Sequence, residues 1–227
     1  MKNAIIPSTL IAAILLSGCS SFSNLANGTL IGGGAGAALG AGVGATFGDG
    51  KGAAIGALIG TAVGAGAGAV IGNKMDKKAA ELKALENAQV ETVTDANGLK
   101  AVKVTFASGI LFPTNGTTLN ASSKKELSEF ATKMSDMQDT DIAIHGHTDN
   151  TGTAEVNERI SAQRAAAVST YLQSCGIAAK RITTTGKSFN VPVADNSTVE
   201  GRAQNRRVEI YITANEEMIR QAENSSK

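Results

Sequence analysis

The segment His145–Ala165, HGHTDNTGTAEVNERISAQRA, decides how the chain is read. Just before it Ile142 and Ile144 alternate, as in a strand with one buried face. Within it begins a run of helix-forming residues from Ala154 to Ser174, which Cys175-Gly176-Ile177 ends with a glycine. A strand, a loop and a helix therefore follow in order, and the loop carries Thr148 and Asp149. On a helical wheel of about 100° per residue, Ile160, Ala167, Tyr171, Cys175, Val168 and Val156 share one broad arc, which is expected to be buried. Arg164 falls near the middle of that arc with Asn157 beside it, whereas Glu158 and Arg159 point away. A guanidinium among apolar neighbours is costly without a counter-charge. Arg164 therefore needs a carboxylate or a ligand.

Working outward, Val102, Val104 and Phe106 alternate as an earlier strand. Asn120 is placed to cap a helix with Leu127, Phe130, Ala131, Met134 and Met137 on one side. Downstream, residues 181–186 (RITTTG) read as a strand, 201–205 as a short helical turn, and Val208, Ile210 and Ile212 as a last strand. The order βαβαβ(α)β over 99–213 predicts an α+β fold, a βαβαββ sandwich long enough for its own core. Before it, 73–98 is expected to be a spacer. Residues 73–90 form a charged helix with a thin apolar edge at Leu82 and Leu85, and Asp95-Ala96-Asn97-Gly98 forms a turn. Residues 214–227 read as a polar, frayed tail.

His145 and His147 share one side of the strand, and His-x-His-x-Asp has the look of the first half of a metallo-β-lactamase metal motif. Asn150 stands where that motif places another histidine, and the chain has 2 histidines in all. His145, His147 and Asp149 alone lack the second shell of a functional zinc site. No metal and no cofactor is expected. Two readings of Asp149 and Arg164 remain. They form a structural pair that staples loop to helix, or they flank a pocket mouth and hold a zwitterion, Asp149 taking an ammonium and Arg164 a carboxylate in bidentate fashion.

The N-terminal third differs in kind. Lys2, a short apolar run from Ile5 to Leu16 and then Leu16-Ser17-Gly18-Cys19 form a secretory signal over 1–18. Leu-Ser-Gly-Cys resembles the bacterial lipobox, which implies acylation of Cys19 as the first mature residue, followed by a linker over 19–30. Serine rather than aspartate after that cysteine implies the outer membrane. Several buried acyl chains make a stable anchor. From 31 to 72 glycine recurs every fourth residue, from Gly32 to Gly48 and from Gly52 to Gly72, interrupted by the turn Gly48-Asp49-Gly50-Lys51-Gly52. Period four on a helix gives a smooth stripe along which backbones approach closely. With Ile31, Leu39, Val43, Ile55, Leu58 and Val63, the pattern favours a helical hairpin in or on the membrane over a flexible linker. It also offers a surface for homo-oligomerisation. The array resembles the glycine-zipper segments of outer-membrane lipoproteins.

Over 100–213 the chain resembles the OmpA-like C-terminal domain. The matching residues are Gly146-His147-Thr148-Asp149-Asn150-Thr151-Gly152, Asn157-Glu158-Arg159-Ile160-Ser161 with Arg164-Ala165, Tyr171-Leu172, Gly176-Ile177, Arg181-Ile182, Gly186 and Asn205-Arg206-Arg207-Val208-Glu209. The resemblance implies a periplasmic module that binds peptidoglycan non-covalently. It further implies that Asp149 and Arg164 hold diaminopimelate of the stem peptide. Thr148 and Asn157 match neighbouring pocket positions, and Arg206 and Arg207 match a pair of which one reaches the ligand.

Net charge is +1, which gives no pull toward nucleic acid. No nucleophile–base pair is visible around Ser161 or Thr148, and Asp149 lacks the second carboxylate of a glycosidase. A binding module, not an enzyme, is expected: a lipid-anchored protein of the outer membrane that tethers it to the cell wall. The rival is an oligomeric, membrane-perturbing or pore-forming component acting through the glycine hairpin.

Overall fold

The computed structural model describes residues 63–113 and 116–226. Cys19, the signal segment and the glycine array up to residue 62 lie outside the described residues. Helix α1 (Ala65–Leu82) precedes a hairpin of β1 (Ala88–Thr94) and β2 (Lys100–Ala107). A single turn, α2 (Ser108–Leu111), leads to α3 (Ala121–Lys133), β3 (Thr140–Gly146) and α4 (Ala154–Ser174). A 3-10 turn (Ala179–Arg181), β4 (Ile182–Gly186), α5 (Val199–Asn205), β5 (Arg207–Ala214) and α6 (Glu216–Ser225) complete the chain. The sheet order is β1-β2-β5-β3-β4. Strands β3 and β4 are parallel and all other neighbours antiparallel.

The period-two alternation expected from the sequence is what the sheet uses. Val104, Ile210 and Ile144 stand in register across three strands and are fully buried, as are Val102, Phe106, Ile142, Val208 and Ile212. Burying each such side chain contributes about 2 kcal/mol. Leu127 and Phe130 of α3 and Val168 and Leu172 of α4 close over this face. Asn120 does cap α3, its side chain accepting from Ser123 N at 2.8 Å.

Three expectations need correction. Residues 73–98 are not a spacer. Helix α1 runs unbroken from the last glycines into the charged stretch, and Ile71, Met75, Ala79 and Leu82 form a stripe at i+4 and i+3 spacing buried in the same core. Residues 88–94 are an edge strand paired with β2 through the turn at Asp95, whose carboxylate accepts from Asn97 N and Leu99 N. The tail is not frayed: Asn215 caps α6, whose Met218, Ile219 and Ala222 are buried. Met75→Ala is therefore expected to lower stability by about 2–4 kcal/mol in urea unfolding, as for a core methionine. A spacer residue would cost under about 0.5 kcal/mol.

The buried arc of α4 is turned from the expected one toward Ser161. Asn157, Ser161, Arg164, Ala165, Val168, Ser169 and Leu172 are buried, while Val156, Ile160, Ala167 and Tyr171 are only half-buried. The cause is two glycines in the strands beneath. A Cβ on Gly146 would stand 2.1 Å from Ser161 O, and one on Gly186 2.7 Å from Ala162 N. Their absence lets the α4 backbone sit directly on β3 and β4 at Ser161. Cys175, at the end of α4, is half-buried with a free thiol.

Candidate functional site

The C-terminal ends of β2, β3 and β4 and the start of β5 lie at one end of the sheet, the end of an α/β sheet where ligands commonly sit. Asp149 stands in the loop after β3, before the α4 cap Thr153. Its Oδ1 accepts from Thr151 N at 2.9 Å and from the Thr151 hydroxyl. Its Oδ2 lies 2.5 Å from Arg206 Nη1. Burial pushes the Asp149 carboxyl up, but the hydrogen bonds from Thr151 and Arg206 outweigh it and hold it below the ordinary carboxylate range. Its partner is thus Arg206, not Arg164, and the structural staple joins the β3 loop to the α5–β5 junction.

Arg164 is buried, 5% exposed. Its guanidinium carbon sits 5.3 Å from the centre of the Phe112 ring, a cation–π shelf. Its Nε donates to Gly116 O at 3.1 Å. Among the described residues no carboxylate forms an ion pair with it. Burial first, then the nearby Arg206, pull its pKa down, and Asp149 offsets part of this. Asp149, Arg164 and Arg206 therefore share one field. The contrast with Arg181 is instructive. That equally buried arginine donates to Thr140 O, Met137 O, Thr140 Oγ1 and Gln138 Oε1, which occupies four of its five N–H donors with protein acceptors.

The other expected site residues divide. Asn157 donates from Nδ2 to Thr151 O at 2.8 Å and so positions the Asp149 loop. Thr148 is held by its backbone N–H to Ser188 O, and its buried hydroxyl meets no partner among the described residues. The Arg206 side chain is 40% exposed and reaches the site. Arg207 turns to the opposite sheet face. There its Nε donates to Glu209 Oε1 at 2.8 Å and its other nitrogens to Asn205 O and Val191 O. Phe112, Gly116 and Ser161 were not singled out as site residues from sequence. Phe112 and Gly116 come from an irregular segment with no period to mark them, and the role of Ser161 depends on the close approach over Gly146.

On that opposite face His145 and His147 lie beside Glu209, each 2% exposed. Burial pulls His145 down to about 4 and lowers His147, so both rings are neutral at pH 7. Asp149 does not join them.

Comparison with known proteins agrees with this architecture. Residues 111–206 match the OmpA family, and residues 1–76 match the YMGG-like Gly-zipper. The peptidoglycan-binding protein ArfA of Mycobacterium tuberculosis is 39% identical over 112 residues, 49% of this chain and 34% of ArfA. The probable lipoprotein YiaD of Escherichia coli is 34% identical over 142 residues, 63% of this chain and 64% of YiaD. The cell wall anchor of the T6SS from Pseudomonas aeruginosa superposes with a TM-score of 0.52 at 28% identity, covering 62% of this chain and 96% of that one. The chain thus spans only about a third of ArfA and under two thirds of YiaD. Among the described residues no helix is long and apolar enough to cross a membrane.

Proposed function

We propose that this chain binds peptidoglycan non-covalently through its C-terminal domain and, anchored by acylated Cys19, ties the outer membrane to the cell wall. The observation that carries the reading is Arg164. A buried guanidinium lies on an aromatic shelf, with a carboxylate and a second arginine nearby and with no ion-pair partner among the described residues. Such a group is satisfied by an incoming carboxylate. Asp149 uses three of its acceptor positions on Thr151 and Arg206, and a carboxylate offers about four. One remains for an ammonium. The ligand is therefore an amino-acid head group, and the free end of diaminopimelate in a stem peptide supplies both charges. The names of ArfA and of the T6SS wall anchor point to the same polymer. Thr148 and Asn157 line and position the loop, Arg206 adds a second cation, and Arg207 is structural. The glycine-rich segment adds membrane or self-association contacts. A modest affinity per site suffices, because many anchored copies act at high effective concentration.

The detergent-solubilised protein is expected to sediment with purified sacculi. Free diaminopimelate should release it, and cadaverine, which carries ammonium groups without a carboxylate, should not. Release by both compounds alike would remove Arg164 from the recognition.

A further inference from the structure

Two features of the polar sheet face are left unused by the wall-binding site. In the β3–β5 ladder His145 stands opposite Glu209, and His147, two residues on, projects to the same side. One ligand atom from each of His145, His147 and Glu209 lies within 4.8 Å of the other two. The three residues are 2%, 2% and 5% exposed. His145 Nε2 and His147 Nδ1 meet no hydrogen-bonding partner among the described residues. His147 Nε2 faces Glu209 Oε2 at 3.3 Å without hydrogen-bond geometry. Buried, unpartnered ring nitrogens are costly, and one nitrogen of each ring lies within 4.8 Å of a Glu209 carboxylate oxygen.

We propose that His145, His147 and Glu209 form a binding site for a single divalent transition-metal ion of the Zn²⁺ class. Two imidazoles and one carboxylate are the borderline donor set that Zn²⁺ takes, with a fourth position left for water. Ligand bonds of about 2.0–2.2 Å place donors roughly 3.4 Å apart, a contraction that small side-chain rotations supply. The second shell is built. Arg207 Nε donates to Glu209 Oε1 at 2.8 Å, and the Tyr211 hydroxyl to Oε2 at 2.7 Å. Such contacts fix the orientation of a ligating carboxylate. The Tyr211 ring also lies 5.0 Å from that of His145. The positive charges of Arg207 and Lys187 weaken the attraction for a cation, so the site is expected to bind less tightly than a neutral-walled one. Entry is open: a cavity of about 690 Å³ on the sheet face, lined by Gln89, Lys103, Thr105, Arg207 and Glu209, reaches the carboxylate. The ion would clamp β3 to β5 two residues before Asp149. It has no part in the zwitterion contact itself, so this inference stands or falls independently of wall binding.

The test uses the full-length, tag-free protein in detergent, stripped with a chelator and dialysed against Zn²⁺. One Zn²⁺ per chain is expected, with a raised melting temperature. His145→Ala and Glu209→Gln should each weaken uptake at least tenfold, while Cys175→Ser should bind as the parent does. A Co²⁺-loaded sample of the unaltered protein should show d–d bands without a thiolate charge-transfer band, whatever the stability of the variants. Absence of stoichiometric Zn²⁺ at about 100 µM free metal, uptake that depends on Cys175, or uptake by His145→Ala and Glu209→Gln as tight as that of the parent would each overturn the proposal.

Discussion

Arg164→Ala is expected to abolish sedimentation with sacculi while leaving the domain folded. The two halves of this result have different physical origins. Truncating a buried, charge-bearing partner of a ligand costs about 2–5 kcal/mol of binding. At about 1.4 kcal/mol per tenfold, the dissociation constant rises roughly 30-fold or more. The stability cost is small. Among the described residues Arg164 makes one hydrogen bond, to Gly116 O, and one cation–π contact, with Phe112, together about 1–2 kcal/mol. Its removal also relieves a desolvated charge that Arg206 opposes. Had Arg164 been the staple to Asp149, its loss would have left a buried carboxylate unpaired, at about 3–5 kcal/mol. Sedimentation and urea unfolding measured on the same preparation separate the cases. Normal sedimentation would sink the pocket assignment, and a loss of stability above about 3 kcal/mol would make the residue structural.

The sequence carried the strands and the loop, but not the partner of Asp149. Alternation at Val102–Phe106, Ile142–Ile144 and Val208–Ile212 is a local signal, and the register of the sheet reproduces it residue by residue. Arg206 lies 57 residues from Asp149, and nothing periodic in the intervening segment reports that approach. The same reason hid the third candidate metal ligand. His145-x-His147 is visible as a pair, whereas Glu209 joins it only through antiparallel pairing of β5 with β3. Helix α1 was lost differently. Its stripe Ile71, Met75, Ala79, Leu82 crosses the end of the glycine array, so a boundary set at residue 72 by the last glycine divides one helix into two weak patterns. Strand β1 is an edge with Gln89, Glu91, Thr92 and Thr94 exposed. Its sequence has too few apolar residues to signal a strand, although the turn at Asp95 that follows it was legible.

Gly146→Ala is expected to be the most damaging of single-methyl additions to the sheet. The new Cβ would lie 2.1 Å from Ser161 O and 2.9 Å from Ser161 C. Both are backbone atoms of a helix interior, so no side-chain rotation relieves the contact. Helix α4 must lift from β3 along the segment that places Ser161, whose hydroxyl accepts from Ser188 N at 3.1 Å. Ser188 in turn accepts from Thr148 N. Overpacking of this kind costs about 3 kcal/mol, on the order of a 10 °C fall in melting temperature for a chain of this size. Gly68→Ala is the matched control. It sits in α1 with nothing within 4 Å of the added carbon, so the helix gains about 0.5–1 kcal/mol from the better helix former. Urea unfolding followed by circular dichroism should therefore move the two variants in opposite directions. Because the displaced helix carries Arg164 and Asn157, Gly146→Ala should also weaken sacculus binding in the fraction that remains folded. A Gly146→Ala protein within about 1 kcal/mol of the parent, with sedimentation intact, would mean that α4 does not rest on β3 as described, and the placement of Arg164 beside Asp149 would fall with it.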